Sequence, residues 1–172
     1  MAASVVALAA CTPPVSSPVH ALVFPVKGGA FYVDTFGQPR PGGRTHEGED
    51  LMAPKMRPVL AATAGTVTFL RYDDASISGN MMTITAPDGW TTTYIHLNND
   101  TPGTDDGLAT LDEEYPPGIV KGAAVTAGQL ISWVGDSGDA ENVSPHLHFE
   151  LRDATGALVN PYASLRAASV VP

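Results

Sequence analysis

The chain contains one cysteine, Cys11, in 172 residues, so no disulfide can form within it. Basic residues are scarce: nine Lys and Arg stand against eighteen Asp and Glu, for a net charge of -9 with histidine neutral. A phosphate backbone selects a basic surface, so this balance argues against nucleic acid as a partner. It leaves an uncharged peptide or glycan open. No apolar run approaches the roughly 18 residues of a membrane span. No segment sustains the 3.6-residue period of an amphipathic helix, which excludes a helical bundle.

What is present points to strands and turns. Seventeen glycines and fifteen prolines punctuate the chain. Gly65-Thr66-Val67-Thr68-Phe69-Leu70 is β-branched and follows a glycine signal. Met81-Met82-Thr83-Ile84-Thr85 and Thr91-Thr92-Thr93-Tyr94-Ile95-His96-Leu97 flank Asp88-Gly89, a hairpin pair. A fourth strand is expected within 127–135, and a fifth over 146–152, followed by the turn-like Asp153-Ala154-Thr155-Gly156. These signals predict one all-β domain, mainly antiparallel, over residues 23–165, with no internal repeat. Residues 1–22 read as a leader remnant and Pro/Ser linker, and 166–172 as a tail.

The start of the chain carries its own signal. Leu8-Ala9-Ala10-Cys11 resembles the lipobox of bacterial lipoproteins, and a Pro/Ser linker follows it. The resemblance implies removal of residues 1–10 and a lipid anchor at Cys11. No Lys or Arg precedes the short apolar run, which departs from the usual leader pattern.

Residues 98–118 break the strand rhythm. They hold Asp100, Asp105, Asp106, Asp112, Glu113 and Glu114, and read as a long acidic loop, a possible wall for a groove.

The chemistry concentrates in histidines. In Pro145-His146-Leu147-His148-Phe149-Glu150-Leu151, residues i and i+2 of a strand share a face. His146, His148 and Glu150 should therefore point one way, and Leu147, Phe149 and Leu151 into the core. Glu150 is placed to orient a neighbouring histidine or to pair with a surface cation. The same alternation puts His96 on the face of Tyr94, opposite Ile95 and Leu97. His46 opens Thr45-His46-Glu47-Gly48-Glu49-Asp50, where Gly48 argues for a loop entering a strand. The fifth histidine, His20, lies in the linker and reads as a bystander. Imidazoles and a carboxylate without cysteine suit a catalytic zinc with three protein ligands and an open position. Spacing alone leaves open which three of these groups bind.

Three motifs then occur in order: His46-x-x-x-Asp50, Tyr94-Ile95-His96-Leu97, and His146-Leu147-His148-Phe149-Glu150. With Phe36-Gly37, Gly128-Gln129-Leu130-Ile131 and Asn160-Pro161 in support, the chain resembles the lysostaphin-like (LytM-type) zinc metallopeptidases. That resemblance covers about residues 24–165. It implies a compact antiparallel sheet domain with an open substrate groove. It implies one Zn2+ held by His46, Asp50 and His148. His146 would be the general base for the attacking water, and His96 would hold the developing oxyanion. The implied substrate is a stem or cross-bridge peptide of bacterial peptidoglycan, cleaved outside the cytoplasm by a monomer that is lipid-anchored or secreted. A second reading keeps the fold without catalysis, as a domain that binds or activates other wall hydrolases, or one closed by loop 98–118 or by residues 12–23.

Overall fold

The structure, a computed structural model, describes residues 18–72 and 75–172. The lipid-anchor expectation at Cys11 falls outside the described residues. In chain order the strands are β1 (Pro39–Arg40), β2 (Arg44–Thr45), β3 (Glu49–Met52), β4 (Pro58–Leu60), β5 (Gly65–Arg71), β6 (Asn80–Thr85) and β7 (Thr91–Leu97). After α1 (Leu111–Glu114) come β8 (Ala124–Val125), β9 (Leu130–Trp133), β10 (His146–Arg152), β11 (Leu158–Val159) and α2 (Tyr162–Ala167).

One seven-stranded sheet organises the domain, in the order β11-β10-β7-β6-β5-β8, with β3 also paired to β10. All its pairings are antiparallel. The centre is the β6–β7 hairpin. Its threonines and alternating apolar residues favour extended backbone, and Gly89 turns it at φ 87. Strand β10 lies between β7 on one edge and β3 on the other, so three separate sequence motifs meet side by side.

Alternation decides which face is buried. Leu51, Met82, Ile84, Tyr94, Leu147 and Phe149 are all fully buried on the inner face. They pack with Phe24, Val26, Val59, Ile131 and Val134 from the segments that cross that face, including the β4–β9 pair. Burial of each such side chain contributes about 1.5–3 kcal/mol, which fixes the sheet's orientation. The end of the chain joins this layer: Ser169 bridges Val23, and Gly28 N–H donates to the Val171 carbonyl at 2.8 Å.

The acidic loop is tied down rather than loose. The Lys55 ammonium contacts Asp100 at 2.6 Å, Asp136 at 2.8 Å, and Asp105. Ser132 Oγ donates to the Glu114 carbonyl at 2.8 Å, and Tyr115 donates to the Arg71 carbonyl at 2.8 Å. Among the described residues no helix is long and apolar enough to cross a membrane.

Candidate metal centre and active site

The outer face of the sheet opens into a groove of about 860 Å³. Strand residues Ile95, His96, His146, His148 and Glu150 line it, with walls from 40–47, 77–78 and 139–143. Residues 98–118 do not line it. The acidic loop is therefore not a groove wall; Lys55 ties its Asp100 and Asp105 to Asp136.

Strand pairing builds the centre. His148 stands opposite Asp50 in the β3–β10 register, and both side chains leave the outer face. His46 reaches them from the loop before β3. Gly48 permits this approach, since a Cβ there would lie 2.3 Å from the Phe149 carbonyl oxygen and 2.9 Å from His148 Nε2. His46 Nε2 then lies 3.1 Å from Asp50 Oδ1 and 3.0 Å from His148 Nδ1, and His148 Nδ1 lies 3.0 Å from the same Oδ1.

Outer hydrogen bonds decide which atoms are free to ligate. His46 Nδ1 faces the Thr35 carbonyl at 3.0 Å. A carbonyl only accepts, so Nδ1 carries the proton and Nε2 is bare. His148 Nε2 donates to Glu150 Oε1 at 3.3 Å, which leaves Nδ1 facing inward. The Arg40 guanidinium takes Asp50 Oδ2, so Oδ1 is the inward oxygen. Once the His148 Nδ1 proton is displaced, three lone-pair atoms converge in an open groove. That donor set, two imidazoles and a carboxylate with outer partners on each, fits a catalytic zinc.

Charge agrees. Burial disfavours the charged His148 ring, but Asp50 and Glu150 outweigh it and raise its pKa to about 9. Burial likewise opposes ionised Asp50, yet the bonds from His148, His46 and Arg40 hold its carboxyl far below the usual carboxylate range. The site strongly favours a positive charge at its centre. A second acidic cluster, Asp100, Asp105 and Asp136, also brings its oxygens together, but the Lys55 ammonium occupies that position.

The other two histidines flank these three side chains. His146 Nδ1–H donates to the Ser144 carbonyl at 2.9 Å, and its Nε2 lies 3.8 Å from Asp50 Oδ1. His96 Nδ1–H donates to the Ser137 carbonyl at 2.8 Å, and its ring centroid is 5.0 Å from that of His146. In its neutral form each ring therefore leaves Nε2 as an acceptor. Burial, then the neighbouring His146, lowers the His96 pKa to about 4, so His96 rests neutral.

His96 reaches the groove by a route that alternation does not predict. Tyr94 is buried, accepting the Ala62 N–H at 2.7 Å, while Ile95 lines the groove. His96 and Tyr94 thus lie on opposite faces, not on the same one. The cause is a bulge: Met81 pairs with Ile95 and Asn80 with Leu97, so His96 has no partner across the ladder. Its φ is 60, a left-handed value. Ser137 Oγ clamps this bend, donating to the Leu97 carbonyl at 2.7 Å and accepting the Asn80 N–H at 2.9 Å. His20 stays away from the groove, bonded to Asp88 at 2.9 Å and packed on Trp90.

Comparison with known proteins now decides the family. The model of peptidase family M23 matches residues 44–161. The chain belongs to peptidase family M23. The DD-carboxypeptidase/endopeptidase Mpg of Neisseria meningitidis is 34% identical over 118 residues, covering 69% of this chain and 22% of that protein. The chain therefore spans about a fifth of that relative's length. Among solved structures, the candidate glycyl-glycine endopeptidase LytM of Ruminococcus gnavus aligns with a TM-score of 0.66 and 29% identity. That alignment covers 87% of this chain and 62% of the other. The catalytic domain of the antimicrobial peptidase lysostaphin from Staphylococcus simulans shares the fold, with a TM-score of 0.61, 24% identity, and coverage of 80% and 92%. The all-β antiparallel fold expected from the sequence is the fold of this M23 chain.

Sequence reading missed several contributors to the site. Thr35, Ser137 and Ser144 act through backbone carbonyls, which no residue type announces. Arg40 lies in a two-residue strand with no pattern of its own. Glu49 is fully buried beneath Asp50. Its position was legible, because Glu49 and Leu51 share a face opposite Asp50.

Proposed function

We propose that this M23 peptidase is a zinc-dependent endopeptidase of the bacterial cell envelope that hydrolyses a peptide bond in the stem or cross-bridge of peptidoglycan. The observation that carries this reading is the convergence of His46 Nε2, Asp50 Oδ1 and His148 Nδ1 beside two further histidines with bare Nε2 atoms. A bound Zn2+ would polarise the scissile carbonyl and lower the pKa of a water to about 7. The open groove takes an extended peptide across the outer face.

The chain's own residues supply the proton traffic. His146, nearer Asp50, accepts the proton of the attacking water at Nε2 and returns it to the leaving amine. Its Nδ1–H stays committed to Ser144, which fixes the ring's orientation. His96 rests neutral with its only proton turned to Ser137. It can hold an oxyanion only after Nε2 gains a proton, and in the resting state it is an acceptor. Glu150 and Arg40 keep His148 and Asp50 aimed at the ion. Oligomerisation is not needed to complete this site, and the chain acts as a monomer at the envelope, where its substrate lies.

The relatives' names differ on the bond, so the test must identify it. Full-length protein is incubated with purified peptidoglycan, with and without a zinc chelator, and released fragments are weighed by mass spectrometry. Chelator-sensitive release is expected, and fragment masses name the bond. No release from folded, zinc-loaded protein would overturn the proposal.

A further inference from the structure

Glu49 carries a carboxyl group with 0% exposure in a strand whose other inner-face residue, Leu51, belongs to the hydrophobic core. Removing a carboxylate from water is expensive unless its oxygens are bonded. Among the described residues no Lys or Arg forms an ion pair with it. Its bonds instead go to two adjacent residues: Thr35 N–H reaches Oε1 and Oε2 at 3.2 Å each, Thr35 Oγ1 donates to Oε2 at 3.3 Å, and the Asp34 carboxyl is a further side-chain partner. Leucine at this position would satisfy the core without that cost.

Thr35 is the residue whose carbonyl accepts the His46 Nδ1–H at 3.0 Å. The same carbonyl accepts Gln38 N–H at 3.1 Å, and the Gln38 carbonyl accepts His46 N–H at 2.8 Å. The 35–38 turn thus wraps the His46 ring and main chain, and Glu49 grips that turn from the core side. Arg40 holds Asp50 and Glu150 holds His148 by direct contact. His46 alone is held through backbone, and a backbone carbonyl is aimed only as well as its residue is fixed.

We propose that Glu49 is a positioning residue for metal binding, fixing Thr35 so that the Thr35 carbonyl holds the His46 proton on Nδ1 and presents Nε2 to the ion. This rests on the reading of His46 as a ligand. Loss of such an outer partner weakens metal affinity by about 10–100-fold. Glu49 does not touch substrate or metal, so its effect is on affinity and ligand geometry rather than on a chemical step.

The test uses the full chain with Zn2+ competed against a chromophoric chelator, and Co2+ as a spectroscopic probe. Glu49→Gln is expected to weaken Zn2+ binding by about 10-fold or more and to shift the visible Co2+ bands, while the metal-free protein keeps its native circular dichroism. Thr35→Ser, which retains the hydroxyl donor, should restore near-native affinity where Thr35→Val does not. If Glu49→Gln fails to fold, the Thr35 pair still decides the matter. Zn2+ affinity within twofold of native in Glu49→Gln, with unchanged Co2+ bands, overturns the proposal. His46→Ala separates the two layers of the argument. If it binds Zn2+ as the native chain does, the metal reading itself fails. If it loses Zn2+ while Glu49→Gln does not, only the role of Glu49 fails.

Discussion

Strand β10 and the end of β7 deliver histidines to the same groove by opposite means. In β10, plain alternation places His146 and His148 outward and Leu147 and Phe149 inward, with ordinary strand geometry throughout. At the end of β7, His96 leaves the ladder, takes φ 60, and depends on Ser137 and a close-packed turn. Gly79 belongs to that turn, since a Cβ there would lie 2.4 Å from Ser137. Regular structure presents a side chain to the groove at no backbone cost. A bulge presents a residue that alternation would have turned inward, at a cost of order 1–3 kcal/mol met by surrounding contacts.

The harshest way to break the regular strand is Leu147→Asp. A charge at this fully buried position costs roughly 4–5 kcal/mol or more, comparable with the whole stability of a small domain. No cooperative unfolding transition should remain by circular dichroism. A soluble, zinc-loaded Leu147→Asp protein would overturn the face assignment.

The next test separates the two histidines of β10. His148→Ala and Asp50→Ala should lose zinc and activity together while remaining folded. His146→Ala should retain about one zinc per chain by elemental analysis and lose at least about 100-fold in turnover. Retained turnover in His146→Ala would show that the roles are exchanged.

His96 then yields a pH signature. Its folded pKa of about 4 lies below the ordinary 6.5. Between those values the unfolded chain takes a proton that the folded ring refuses. The His96 contribution to the stability of the metal-free protein should therefore be intact above pH 6.5 and fall as pH drops toward 4, by about 3 kcal/mol. His96→Asn should remove that part of the pH dependence in urea titrations. Identical slopes for both proteins would contradict the buried, neutral assignment.

The smallest effect is the sharpest comparison of the strands. Glycine suits left-handed backbone and weakens a regular strand. His96→Gly should therefore be about 1 kcal/mol more stable than His96→Ala, while His146→Gly should be about 0.5–1 kcal/mol less stable than His146→Ala. The same sign at both positions would remove the bulge from the explanation.

These two regions also show what a sequence makes legible. Period-two patterning exposed the sheet, the inward Leu147 and Phe149, and the outward His146, His148 and Glu150. It extends to Glu49, whose burial follows from the parity of Asp50 and Leu51. Parity misplaced His96 because a single inserted residue reverses every face beyond it, and no side chain marks the insertion. Charge counting suggested that residues 98–118 could flank the groove. What ties them down is Lys55, a single cation distant in sequence that joins two of their carboxylates, Asp100 and Asp105, to Asp136. Partners that act through carbonyls, at Thr35, Ser137 and Ser144, leave no compositional trace.

The central claim is that His46, Asp50 and His148 form the metal sphere while His146, on the same strand face, stays outside it. X-ray absorption at the zinc edge on the loaded full-length chain tests this directly. Two imidazoles and one carboxylate are expected at about 2.0–2.2 Å, with a light-atom ligand in the open position. A third imidazole in the sphere would contradict it.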